Sequence, residues 1–166
     1  MNISQNGIDL IKQFEGLRLE AYQCSAGVWT IGFGHTNGVK QGDKITLAQA
    51  EDFLRSDLEK FENAINNLVN VELNQNQFDA LVSFVFNIGI NAFKKSTMLK
   101  FLNNNSFPLA AGQFDRWIYA NGNVVAGLIN RRKKEKELFL SEITDGCNPV
   151  SESGSEDQPE ADERHA

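Results

Sequence analysis

The apolar residues of this chain follow two periods, and the change between them divides it. In residues 4–15, Ile8, Ile11 and Phe14 recur at helical spacing. They predict an amphipathic helix with Ser4 as its N-cap and Gly16 as its stop. Residues 17–22 alternate polar and apolar side chains instead, and residues 28–33 are rich in aromatic and β-branched ones. Both stretches read as short strands, with Ser25, Ala26 and Gly27 as the turn between them. Further turn signals at Asn37–Gly38 and Gln41–Gly42 mark residues 17–45 as a small, Gly-rich β unit.

The helical period returns at Thr46. Thr46 and Gln49 have the form of a capping box, and Phe53, Leu54, Leu58, Phe61, Ile65 and Leu68 continue one apolar face. From Asn74 onward Phe78, Leu81, Val82, Val85 and Phe86 run nearly all the way round a helix. That pattern predicts a buried central helix, stopped by Gly89. Ser96 caps a short helix ending near Asn103, and Pro108 suits the first position of another. Trp117 and Tyr119 precede a Gly-containing loop over 121–127, and a last helix runs from about Leu128 to Leu140. No internal repeat is present.

Charge sharpens this division. The net charge is −6, yet residues 145–166 hold seven acids and a single base, Arg164, which leaves residues 1–144 balanced. A neutral domain argues against nucleic acid as a partner, because phosphate binding leans on clustered positive charge. The run from Arg131 to Lys134 alternates with Glu135 and Glu137, so its lysines read as a solvated helix face. After Gly146 large apolar residues almost vanish, which predicts a disordered acidic tail over 145–166 behind a folded domain of residues 1–144. The N-terminal residues lack a signal peptide's basic and apolar regions, and no run approaches the roughly 20 apolar residues of a membrane span. The chain is therefore expected to be soluble and cytoplasmic.

The candidate chemistry lies in residues 14–36. Glu15, Cys24 and Thr30 stand with eight residues between the first two and five between the second and third. A hairpin of this size puts Cys24 at one strand end and Thr30 on the facing strand, with Glu15 entering from the end of the first helix. Taken singly, each has a plain structural reading: a surface acid, a small buried hydrophobe, a strand former. Together they can line one cleft.

That spacing, with FEGLRLEAY before the thiol and WTIGFGHT after it, resembles the bacteriophage-type lysozymes, glycoside hydrolase family twenty-four, whose members include phage endolysins. The family pattern is Glu, eight residues, Asp or Cys, five residues, Thr. QFDALVSFVFNIG at 77–89 and GLINRRKKEKELF at 127–139 resemble the helical half of the same family, so the resemblance covers residues 4–140. It implies an α+β, lysozyme-like fold: a small β-lobe near 17–45 and a helical lobe over 74–140, joined by the long helix. It implies hydrolysis of the β-1,4 bond between N-acetylmuramic acid and N-acetylglucosamine in peptidoglycan, with no metal or organic cofactor.

In that reading Glu15 is the general acid. Such a group must carry a proton near neutral pH, which partial burial against apolar neighbours favours. Cys24 and Thr30 either hold and polarise the attacking water, or the thiolate itself attacks or stabilises the sugar cation. A water opposite Glu15 would invert the anomeric carbon. On the substrate side stand Trp117, in a cleft-side loop by resemblance, together with His35 and Arg131. Arg131 matches a position where the family keeps an arginine near the catalytic acid, an ion pair that would oppose the effect of burial. Trp117 and Phe93 otherwise read as core aromatics. The family also implies a membrane-permeabilising, holin-type partner that lets a cytoplasmic enzyme reach the wall, where it acts as a monomer.

Other chemistries fit less well. A Cys24–His35 hydrolase lacks a cysteine-protease signature, and the only other histidine is His165 in the tail. His35 reads more simply as a structural hydrogen bond or ion pair at a strand end. Two Cys and two His without ligand spacing make no zinc site. Cys24 and Cys147 could pair in an oxidising compartment and block the site. Two rivals keep the same cleft: a catalytically inert wall-binding or phage structural domain, and a lytic transglycosylase, which differs in its product.

Overall fold

The computed structural model describes residues 1–141, so the tail over 145–166 and Cys147 lie outside the described residues. The first helix, α1 (Gln5–Glu15), buries Ile8 and Ile11 and ends at Gly16. Ser4 occupies its N-cap position, but its side chain makes no capping bond. The hydroxyl donates instead to Asp79, and the Ser4 backbone N–H donates to the same carboxylate at 2.9 Å. The expected cap is lost because a fully buried acid has a stronger claim on that donor. Glu62 accepts the Ile3 N–H at 2.7 Å, so two acids strap the first residues across the helical lobe.

Strands β1 (Arg18–Gln23) and β2 (Trp29–Gly32) form the expected antiparallel hairpin, with Tyr22 opposite Thr30 and a register shift between Arg18 and Tyr22. Its turn closes through Gly27 N–H to the Cys24 carbonyl at 2.8 Å and Cys24 N–H to the Val28 carbonyl at 3.0 Å. Backbone bonds from Ala21 to Asp43 and from Ile45 to Leu19, each 2.9 Å, fasten the rest of the small lobe.

Helix α2 (Leu47–Leu68) opens with both halves of the expected capping box, Gln49 N–H to Thr46 Oγ1 at 3.1 Å and Thr46 N–H to Gln49 Oε1 at 2.9 Å. It buries Leu54, Leu58, Phe61 and Ile65. A second box, Asn74 with Gln77, opens α3 (Gln75–Ile88). Every residue from Phe78 to Val85 is buried, since α3 is enclosed by α1, α2 and α7 (Ala126–Leu140). This is the all-round apolar pattern that the sequence predicts for a central helix.

Smaller elements complete the lobe: α4 (Ile90–Lys94), α5 (Thr97–Asn103), α6 (Phe107–Gly112), a 3₁₀ turn (Gln113–Arg116), β3 (Tyr119–Ala120) and β4 (Asn123–Val124). Ser96 caps α5 through the Leu99 N–H at 3.1 Å, as expected. Pro108 is the second residue of α6 rather than the first, and α7 begins at Ala126, ahead of the expected Leu128. The loop expected over 121–127 is in part a hairpin. Asn121 (φ 53°) and Gly122 (φ 81°) both take left-handed backbone, as a two-residue type I′ turn between strands requires. The α+β architecture with two lobes and a joining helix is as expected.

Packing, more than capping, sets the stability of α2. Leu58→Ala should cost about 2–5 kcal/mol, because the site is fully buried. Thr46→Ala should cost only about 1 kcal/mol. Urea denaturation of the two variants checks the order; a reversed order would mean that the joining helix is held by its start.

Candidate active site

Glu15 is the last residue of α1, where the chain turns from the helical lobe into the hairpin. Its Oε2 accepts Arg131 Nη1 at 2.8 Å, and its side chain keeps 21% of its surface exposed. Arg131 itself, from α7, is buried. Its Nη2 donates to the Ser83 carbonyl at 3.1 Å, its Nε donates to Glu135 Oε2 at 3.1 Å, and its guanidinium lies 5.5 Å from the Phe14 ring centre. The acid at the lobe junction is therefore held by a side chain anchored inside the larger lobe.

Glu15 Oε1 faces the turn that follows β2. Gly34 there has φ +89°, and a Cβ at that position would sit 3.4 Å from Oε1. Glycine thus supplies the left-handed backbone, and a Cβ there would be in contact with the carboxyl. Reciprocal bonds between Ile31 and His35, at 2.9 and 2.8 Å, close the turn. The same strand, β2, carries Thr30, so one short β segment carries the hydroxyl and passes beside the acid.

At the other end of the hairpin, Cys24 is a free, half-exposed thiol just past β1. Its pKa is held below the ordinary thiol value, chiefly by hydrogen bonding from the Val28 backbone and then from Ala26. Partial burial opposes this, and the Thr30 hydroxyl adds a smaller contribution in the same direction as the backbone. Thr30 Oγ1 also lies 3.0 Å from the Val28 carbonyl. One hydroxyl proton serves one acceptor at a time, so Thr30 can turn between that carbonyl and the sulfur. Cys24 and Thr30 thus share an environment, as the hairpin reading expects.

His35 points elsewhere. Its Nδ1 lies 2.8 Å from Asp57 Oδ2, and its ring stacks on Phe53 with centres 4.2 Å apart. Beside this pair, Gly34, Thr36, Asn37, Asp57, Lys60 and Phe86 line a groove of about 670 Å³. Gly34 is thus common to the groove and to the surroundings of Glu15. Its hydroxyl, amide and charged groups over a phenylalanine suit a polar, ring-bearing ligand. Trp117 lies apart from it. Its ring meets Phe84 edge-on at 5.8 Å, and its outer side lines a second groove with Lys95 and Arg116. Phe93 is fully buried.

Behind Arg131 lies a polar cluster that the sequence reading did not assemble. Arg132 is 1% exposed, with Nε 3.2 Å from Glu135 Oε1 and Nη2 bonded to Asn87. Burial lowers its pKa to about 10. Burial pushes the Glu135 carboxyl up, against the pull of both guanidiniums and the Ser83 hydroxyl. Lys133 and Lys134 are exposed, in keeping with the solvated face expected for them. A signal did exist: Arg131 and Glu135 are four apart on one helix, and Ser83 interrupts an otherwise apolar run. Among the described residues no three His, Cys, Asp or Glu side chains converge as a metal site.

A hairpin lobe, a helical lobe and a carboxyl at their junction define an α+β protein of the lysozyme-like class. The chain matches the Phage lysozyme family model over residues 12–135, and it belongs to that family. It is 50% identical to an endolysin of Acyrthosiphon pisum secondary endosymbiont phage 1, covering 85% of this chain and 99% of that protein. It is 48% identical to an endolysin of Bacillus phage PZA over a similar stretch, but there it spans only 56% of the relative's length. Among solved structures it resembles the muramidase domain of SpmX from Asticaccaulis excentricus, with a TM-score of 0.81 and 48% identity over 85% of this chain and 99% of that one. A variant of P22 lysozyme gives a TM-score of 0.79 and 45% identity, with the same coverage of each chain.

The donors around Cys24 make a testable statement about its titration. A thiol whose folded pKa lies below its unfolded value becomes thiolate at lower pH when folded. Iodoacetamide alkylation, followed on the Cys24 peptide by mass spectrometry, should reach half its maximal rate at lower pH in the native chain than in the urea-unfolded chain. Equal midpoints would mean that the Val28 and Ala26 donors exert no hold.

Proposed function

We propose that this chain is a peptidoglycan muramidase, an endolysin that hydrolyses the β-1,4 bond between N-acetylmuramic acid and N-acetylglucosamine and so lyses the host cell. The observation that carries this reading is Glu15 at the junction of the two lobes, fixed by Arg131 and beside Gly34, which also lines the polar groove. Family membership supports it, as does the endolysin of Acyrthosiphon pisum secondary endosymbiont phage 1, matched over nearly its whole length. Catalysis is assigned to residues 1–144.

Glu15 gives its proton to the glycosidic oxygen as the bond to the anomeric carbon breaks. Water attacks that carbon from the opposite face, oriented by the Thr30 hydroxyl and the Cys24 sulfur. The oxygen of water becomes the new anomeric hydroxyl, and its proton leaves toward the thiolate. Thiolate character at Cys24 suits this role, because a thiolate accepts a hydrogen bond from water more strongly than a thiol does. The product is a reducing sugar of inverted configuration. His35 and the groove beside it bind the sugars that flank the cut. Trp117, whose ring meets Phe84 edge-on, contacts glycan along the second groove, which it lines with Lys95 and Arg116.

No helix among the described residues is long and apolar enough to cross a membrane. In this reading the enzyme accumulates in the host cytoplasm and reaches the periplasmic wall through a separate, holin-type partner, working there as a monomer.

Glu15→Gln keeps the shape and the Arg131 contact but has no proton to give. It should lose at least about 10²–10⁴ in the rate of turbidity loss of permeabilised Gram-negative cells, with an unchanged melting curve. A folded variant of near-normal activity would refute the acid assignment and favour a wall-binding role. Mass spectrometry of the wild-type products should show a reducing end; a 1,6-anhydro end would make the chain a transglycosylase.

A further inference from the structure

Arg131 touches Glu15 with one edge of its guanidinium and is gripped from behind by the other. Its Nε donates to Glu135 Oε2 at 3.1 Å, and that oxygen also accepts the Ser83 hydroxyl at 2.6 Å. Glu135 is fully buried. Burying a carboxylate is costly even when it is paired, and well-packed apolar side chains often serve an interior equally well. An apolar residue between α3 and α7 could not, however, place an anion on the far edge of Arg131.

We propose that Glu135 is a positioning residue for the reaction assigned above: it fixes Arg131 by its Nε edge and offsets its charge, so that Nη1 holds Glu15 in one orientation. The inference rests on Glu15 being the acid. The surroundings leave few other charges to do this. From α7 come Arg131 and Arg132, the latter 3.2 Å from Glu135 Oε1. The α3 helix offers the neutral Ser83 and Asn87, with Asn87 bound to Arg132. On α1, Lys12 is turned to Glu51, and beyond the β2 turn His35 is turned to Asp57. Glu135 is therefore the anion that grips Arg131 from inside the helical lobe.

The test is kcat and KM on purified wall glycan, for the full chain and two variants. Glu135→Leu replaces the acceptor of the Arg131 Nε with an apolar side chain of similar size, and Glu135→Gln restores an oxygen that can accept from both Arg131 and Ser83. Glu135→Leu is expected to lower kcat roughly tenfold or more at an unchanged KM, and Glu135→Gln to recover most of that loss. If Glu135→Leu does not fold, Glu135→Asp, whose carboxylate is one methylene further from Arg131, is expected to show the same loss in kcat and decides the question. A merely structural role would lower the melting temperature and leave kcat per folded molecule as in the wild type. A wild-type kcat in folded Glu135→Leu, or in Glu135→Asp where that variant decides, overturns the proposal. Glu15→Gln separates the two failures. If it is inactive while the Glu135 variants keep full kcat, only the role of Glu135 falls; if it is active, the acid assignment falls first.

Discussion

The contact between Arg131 and Glu15 ties the chemistry to the fold. It joins the end of α1 to the middle of α7, residues 116 positions apart in sequence, at the point where the helical lobe meets the hairpin. A guanidinium is suited to this, because its planar donors can serve several acceptors at once in fixed directions. Arg131 uses three sides, toward Glu15, Ser83 and Glu135. Removing any one partner would leave buried charge short of its compensation, which is the expensive way to break such a cluster. The acid thus takes its orientation from the core of the larger lobe.

The hairpin supplies the opposite half of the arrangement by different means. Its two strands are short, and their turn depends on backbone bonds at Gly27 and Cys24. The backbone of Val28 and Ala26 in the same turn hydrogen-bonds the thiol, so the local structure there also lowers the pKa of Cys24. The polar groove beginning at Gly34 connects this half to α2, where His35 and Asp57 pair across the joint. The glycine turn at Gly34 thus lies between the acid at the end of α1 and the groove along α2.

Much of this was legible in the chain before any coordinates. Capping boxes at Thr46 and Asn74 follow local rules and were fulfilled or found where local rules put them. The central helix announced itself by apolar residues on all sides. The readings that shifted concern competition between distant groups. Ser4 looks like a cap until Asp79, 75 residues away, takes its hydroxyl. The second hairpin at Tyr119–Ala120 and Asn123–Val124 was hidden because two-residue strands show no alternation, although Asn121–Gly122 is its proper turn.

By itself the sequence determined the longer elements, their order and the spacing of Glu15, Cys24 and Thr30, because periodicity, caps and turns act over a few residues. Only the tertiary structure decided that Arg132 turns inward beside Arg131, and that Ser83 and Glu135 meet behind the acid. Local pattern cannot settle those matters. The energy of a buried charge depends on partners that the fold alone brings within hydrogen-bonding distance.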